Sequence, residues 1–195
     1  MKTEDVIKCI VDVLDDNSLV ISIFGQVSDE LYNSGDSAKY FYMRGGMGMA
    51  SSIGMGIALA RPEKKVFVLD GDGSLIMNIG SLASISHYRP ANLYHVIINN
   101  RVHGSIGGYP TFASDTLNFK KVIEGFGIKS VFETSENDLL NNYIKSILKS
   151  NGPHEIIADT EFESSPGKGH ATRMGYIKER FMKNIDEKNP NLPDV

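Results

Sequence analysis

Six short apolar runs, each ending in a turn signal, constrain this chain more than any other feature. They are LVISIF (19–24), YFYM (40–43), KKVFVLD (64–70), LYHVII (93–98), a segment near 129–133, and HEIIADT (154–160). Most are continuously apolar and do not alternate with polar residues. Strands of that kind are buried on both faces, which is the condition of a parallel sheet. The stretches between them carry helical spacing. Val6, Ile10, Val13 and Leu14 share one face behind Thr3, which is placed to cap. Ser28 is placed to cap a short helix over DELYN. Further helices are predicted over 47–60, 74–87, 118–125 and 173–184. Ser135 opens the strongest one, where Leu139, Leu140, Tyr143, Ile144, Ile147 and Leu148 recur at three and four, and Asn151-Gly152 closes it. The alternation predicts an α/β fold: a doubly wound, mostly parallel six-stranded sheet with helices on both faces. Ligands in such folds sit at the carboxyl ends of strands. That directs attention to the turns after Phe24, Met43, Asp70 and Ile98.

A chain of 195 residues with no internal repeat reads as one domain, 1–185, followed by a flexible tail, 186–195. The net charge of −4 comes with no basic stripe, so no nucleic-acid partner is expected. No apolar run approaches the ~20 residues that span a bilayer, so no membrane is expected either. The N-terminus lacks a signal-peptide pattern and the single cysteine, Cys9, permits no internal disulfide. Both point to a cytoplasmic setting, with Cys9 a buried small hydrophobe on a helix.

Gly71-Asp72-Gly73-Ser74 follows the clearest strand and opens a helix. Glycines there let backbone N–H groups approach an anion, and the helix start adds partial positive charge. Asp72 repels a bare phosphate, and a divalent cation between them removes the conflict. Mg²⁺ takes oxygen ligands in an octahedron and accepts phosphate oxygens readily. A second ligand belongs at a neighbouring strand end, where Asn99-Asn100 stands. The 25 residues from Ser74 to Ile98 make one helix and one strand, a single crossover back to the starting strand's side. A backbone carbonyl shortly after Asn100 can serve as a third ligand.

With GDGS followed at this distance by NN, the chain resembles the pyruvate-decarboxylase-like thiamine diphosphate (ThDP) enzymes, over roughly residues 5–160. The resemblance implies that Asp72, Asn100 and the Val102 carbonyl bind Mg²⁺, and that Gly71, Gly73 and Ser74 lie along the diphosphate. Gly45-Gly46-Met47-Gly48 resembles the segment that holds the aminopyrimidine. By that match Gly45 offers a carbonyl to the 4′-amino group, and Met47 wedges between the cofactor's two rings. Three stretches are similar to phosphonopyruvate and sulfopyruvate decarboxylases in particular: FGQVSDELY (24–32), MGMASSIGMGIALARP (47–62) and PANLYHVIINNRVHGSIGGYPT (90–111). His103 resembles the first type, and FYM (41–43) with ASSIG (50–54) the second. Arg44 and Arg101 depart from both.

In the family, a glutamate on a separate pyrimidine-binding domain activates the cofactor. No counterpart stands near these motifs: Glu30, Glu63 and Glu124 read as surface charges. The resemblance therefore implies a hetero-oligomer, in which a pyrimidine-binding partner chain supplies that glutamate. The reaction implied is removal of CO₂ from a small anionic 2-oxo acid, leaving an aldehyde. His103, Arg101, Arg44, Lys168, His170 and Arg173 are candidates for the substrate's second anion, and 164–170 for a lid. Carboligation on the same cofactor, or a non-catalytic assembly role, are the alternatives. A nucleotide-binding flavodoxin-like domain is disfavoured, because GQVSDE stands where G-x-G-x-x-G would follow the first strand.

Overall fold

The computed structural model describes residues 1–163 and 173–186, so Lys168, His170, the segment 164–170 and the tail beyond 186 lie outside the described residues. The strands are β1 (Ser18–Ser22), β2 (Tyr40–Tyr42), β3 (Lys65–Gly71), β4 (Leu93–Asn99), β5 (Val102–His103), β6 (Tyr109–Pro110), β7 (Val131–Thr134) and β8 (His154–Asp159). The helices are α1 (Thr3–Val11), α2 (Gln26–Asn33), α3 (Ala50–Ala60), α4 (Asp72–Met77), α5 (Ser81–Tyr88), α6 (Phe119–Gly125), α7 (Asn137–Ile147) and α8 (Met174–Asp186). Six strands form one sheet in the order β2-β1-β3-β4-β8-β7, and every neighbouring pair is parallel. β5 and β6 form a separate antiparallel hairpin inside the glycine-rich segment. Sequence patterning found all six sheet strands and missed the hairpin, whose two-residue strands carry no periodicity.

From β1 the chain moves to β2 on one side, and from β3 it moves to β4 on the other. Right-handed crossovers in opposite directions place their helices on opposite faces. α2 and α7 thus cover one face, where α1 packs against both, and α3, α4, α5 and α6 cover the other. The two directions part between β1 and β3, and the crevice at their carboxyl ends is where the fold accepts ligands. Every residue of β1 and β4 is buried, which accounts for their largely apolar sequences.

Close packing fixes the helices on that frame. A Cβ on Gly54 would fall 2.1 Å from Val68 Cγ2, so α3 lies on β3 at a distance only glycine allows. On the opposite face Cys9 is buried and its thiol donates to Asn137 Oδ1 at 3.0 Å, joining α1 to α7. α8 lies against edge strand β2. Phe181 packs on Phe41 with ring centroids 5.4 Å apart, and Arg180 grips Asp36 through both guanidinium nitrogens at 2.6 Å. The Tyr42 hydroxyl donates to the same carboxylate.

A buried charged cluster interrupts the core. His95 of β4 is fully buried between two fully buried carboxylates, with Nδ1 2.7 Å from Glu155 Oε2 and Nε2 3.5 Å from Asp70 Oδ2. The longer contact is ionic and falls short of a hydrogen bond. Burial works against the charged ring, but Glu155 and Asp70 outweigh it and push His95 up to about 10.

Several expected boundaries move, each for a local reason. Thr3 lies inside α1; Lys2 is the cap, and its N–H donates to Asp5 Oδ2 at 2.9 Å. Ser28 lies within α2, buried, donating to the Ile23 carbonyl at 2.7 Å; Gly25, at φ +85°, begins that helix. The helix expected over 47–60 begins at Ala50, because Gly46 and Gly48 have φ of +74° and +88°. The single helix expected over 74–87 is two, α4 and α5, broken at Asn78. α7 begins at Asn137, after its cap Glu136, and ends at Ile147, ahead of Asn151-Gly152.

Candidate active site

Parallel pairing sets Gly71 of β3 opposite Ile98 of β4. The next residue on one strand is Asp72, and two residues on along the other is Asn100, so the acidic turn and the amide pair emerge side by side. They share a cleft of roughly 230 Å³ at the carboxyl ends of β1, β3 and β4. Of the residues singled out from sequence, Met47, Gly71, Asp72, Gly73, Ser74, Asn100, Val102 and His103 line it. Gly45 and Gly46 are exposed beside Met47 and do not form part of the wall.

Asp72 is 3% exposed. Burial pushes its carboxyl above the ordinary range, against the Thr111 hydroxyl and the Gly73 N–H that favour the charged form. A buried carboxylate facing a cleft is stabilised by a cation there. The neighbouring donors are oxygens. Asn100 Oδ1 accepts from the Val102 N–H at 3.1 Å and keeps a second lone pair. In the hairpin the ladder bond runs from Thr111 N–H to the Arg101 carbonyl, which makes Val102 and Pro110 a non-bonded pair. The Val102 carbonyl therefore points away from the hairpin partner and stays free of the ladder. A carboxylate, an amide oxygen and a peptide carbonyl make a donor set that fits a hard divalent ion. Gly71 contributes to the wall with open space where a Cβ would stand.

The turn carrying Met47 is tied to α4. Ser74 Oγ accepts from the Gly48 N–H at 3.0 Å, and Asn78 Nδ2 donates to the Gly48 carbonyl at 2.9 Å. Asn78 also donates to Ser52 Oγ at 3.2 Å. The residue that breaks the expected long helix is thus spent on holding Met47 at the cleft. A Cβ on Gly48 would lie 2.9 Å from Asn78 Cβ, so the turn tolerates no side chain there. Gly73 is constrained in the same way, because its Cβ would stand 2.6 Å from His103 Cε1. His103 accordingly lies directly over the glycine-aspartate turn.

Of the basic candidates among the described residues, His103 lines this cleft and the three arginines do not. Arg101, at φ +62°, pairs with Asp159 at 2.9 Å, and Asn99 Nδ2 binds the same carboxylate at 2.7 Å. Arg44 and Arg173 are exposed and are not part of the cleft wall. Among the described residues the wall holds no lysine, arginine or glutamate; Asp72 and His103 are its titratable side chains.

Sequence reasoning missed Gln26 and Thr3, which join the wall from α2 and α1. It also missed Thr111, whose hydroxyl donates to Asp72 Oδ2. Gln26 had a signal, since it follows a strand end already marked for ligands. Thr111 had none, because the pairing spans 39 residues and is made by the hairpin.

Residues 25–158 match the family described as thiamine pyrophosphate enzyme, C-terminal TPP binding domain. The sulfopyruvate decarboxylase subunit beta of Methanocaldococcus jannaschii is 39% identical over 159 residues, spanning 82% of this chain and 84% of its own. The phosphonopyruvate decarboxylase of Streptomyces viridochromogenes is 38% identical over 137 residues, 70% of this chain and 34% of its own. The thiamine diphosphate-dependent 4-hydroxybenzoylformate decarboxylase of Rhodococcus jostii RHA1 shares the fold. Its TM-score is 0.73 at 21% identity, over 85% of this chain and 33% of that one.

Proposed function

Because this chain belongs to the thiamine pyrophosphate enzyme C-terminal TPP-binding domain family, we propose that it is the diphosphate-binding subunit of a ThDP- and Mg²⁺-dependent 2-oxo acid decarboxylase, acting on phosphonopyruvate or sulfopyruvate. One observation carries the reading: β3 and β4 are neighbours in parallel register, so Asp72 and Asn100 open into one cleft.

Asp72, Asn100 and the Val102 carbonyl would hold the cation, and through it the diphosphate. Gly71, Gly73 and the Ser74 hydroxyl would take the phosphate oxygens at the start of α4. Ser74 Oγ already accepts from Gly48, which leaves its own proton to donate. Gly45 and Gly46 precede Met47, whose side chain would support the bend of the cofactor. When bound, ThDP supplies the nucleophilic carbon and the electron sink for loss of CO₂. His103 stands over Gly73 at the cleft and is placed to contact the substrate or donate to it. The apolar portion of the wall, with Ile23, Val27 and Ile98, limits water around the reacting groups.

A cleft wall without a glutamate supports a partner chain that brings one. Span supports it too: the chain covers most of a relative named as a subunit, and a third of the phosphonopyruvate relative. The test is co-expression with a pyrimidine-domain chain, followed by CO₂ release in the presence of Mg²⁺ and ThDP. Phosphonopyruvate, sulfopyruvate and pyruvate are compared, with and without an acceptor aldehyde. Release from an anionic 2-oxo acid by the pair, and by neither chain alone, is the expected result. Carboligation products without free aldehyde would replace this reading by the alternative, and turnover by the single chain would remove the partner.

A further inference from the structure

We propose that Thr111 is a positioning residue that latches the glycine-rich hairpin onto the cation ligand Asp72, making the hairpin and the ligand a single structural unit. The inference rests on the reading of Asp72 as a ligand and goes beyond it to the residue that sets its orientation.

Three observations meet at Thr111. It is 3% exposed, and its Oγ1 donates to Asp72 Oδ2 while accepting from the Ala113 N–H at 3.3 Å. Its own N–H donates to the Arg101 carbonyl at 2.9 Å, closing the base of the β5–β6 hairpin. Its Cγ2 abuts Gly73, where an added Cβ would be 3.2 Å away, next to His103. The hairpin thus touches the acidic turn at its base, through one hydroxyl and one methyl group.

The chemistry of that contact is specific. A carboxylate offers two oxygens, and the hydroxyl takes Oδ2 from the side of the hairpin. Oδ1 takes no part in that bond and Oδ2 keeps a second lone pair, so the bond fixes the direction in which the carboxylate faces a cation. Without the hydroxyl, Oδ2 would be buried with no donor from the hairpin, and the carboxylate would turn to find one. The hairpin also carries Val102 and His103, so the same bond sets the spacing between Asp72 and the rest of the site. Partners of metal ligands contribute in this way, and their loss commonly costs 10–100-fold in metal affinity.

The experiment uses the full chain with Mn²⁺ as probe in the presence of ThDP, read by electron paramagnetic resonance, together with hydrogen exchange of amides 102–109. Thr111→Val keeps the shape and removes the hydroxyl; Thr111→Ser keeps the hydroxyl. Thr111→Val is expected to weaken Mn²⁺ binding about tenfold or more and to speed exchange in 102–109 about tenfold, with β1 and β3 unchanged. Thr111→Ser is expected to restore both. Asp72→Ala removes the latch from its other side and should speed the same amides, which keeps the proposal testable should Thr111→Val not fold. Unchanged exchange in 102–109 in either variant overturns the latch. Wild-type Mn²⁺ affinity in Asp72→Ala overturns the reading of the cation ligand instead, and leaves the tether of the hairpin to be judged by exchange alone.

Discussion

Asp72 and His95 are both buried titratable groups, but Asp72 stands at the start of α4 and His95 within β4. Asp72 faces a cleft and lies at the start of a helix, so its removal vacates no core volume. Asp72→Ala is expected to abolish retention of ThDP with Mg²⁺, seen by calorimetry, while the chain still unfolds cooperatively in urea, with the loss of the buried Thr111 bond costing about 1–3 kcal/mol. His95 faces two carboxylates in the core. Its pKa is raised in the folded protein, so the stability it contributes is complete below the unfolded value near 6.5 and is lost as pH climbs through about 10. His95→Gln leaves Asp70 and Glu155 without their cation and should cost about 3–5 kcal/mol at pH 6. The gap between variant and wild type, followed by urea unfolding, should narrow steadily toward pH 10. A gap independent of pH would show that the ring is neutral in the fold. Neither bond of His95 was legible in the sequence. The histidine reads as one more residue in a strand, and its partners come from β3 and β8, the latter 60 residues away.

At the scale of elements, the α3–β3 contact is the tightest feature, because Val68 Cγ2 occupies the space a Cβ at position 54 would need. Gly54→Ala should therefore cost about 1–3 kcal/mol through overpacking. Adding Val68→Ala should recover part of that loss in a double-mutant cycle, and strict additivity of the two would place the strain elsewhere. The elements also show where sequence patterning succeeds. Parallel strands buried on both faces are written as unbroken apolar runs, and all six in the sheet could be read. Helix starts could not, since Thr3 and Ser28 look like caps in isolation. Gly25, by adopting φ +85°, begins α2 earlier and frees the Ser28 hydroxyl to bond Ile23 and Ser22 inside the core. Asn78 likewise looks compatible with a continuing helix. Its side-chain amide donates to the Gly48 carbonyl on the Met47 turn and to Ser52 Oγ in α3, and the helix breaks there.

At the scale of the whole molecule, large apolar side chains are exposed on the glycine-rich segment, where Ile106 also lines the cleft, and at the end of α4. Phe112 is 84% exposed, Tyr109 67%, Ile106 64% and Met77 65%. Side chains of this size lying open beside a site suit an interface more than a free surface. Phe112→Ser with Ile106→Ser should leave the thermal midpoint of the chain alone unchanged and reduce assembly with the proposed pyrimidine-domain partner, measured by sedimentation velocity. Undiminished assembly would move the interface to another face. That Asp72 and Asn100 share one cleft was legible because the two motifs sit at strand ends one crossover apart, and one crossover in a parallel sheet makes neighbours. Charge was less legible: Arg101 adjoins Asn100 in sequence, yet its left-handed backbone turns it to Asp159 and away from the cleft.

The cleft has oxygens for a cation and, among the described residues, no glutamate on its wall. On the proposed reading, one catalytic centre is thereby divided between two translation products. Output then follows whichever polypeptide is scarcer, and a surplus of this one sequesters cofactor without turnover. Equal dosage of the two messages becomes a requirement set by the placement of a single acid.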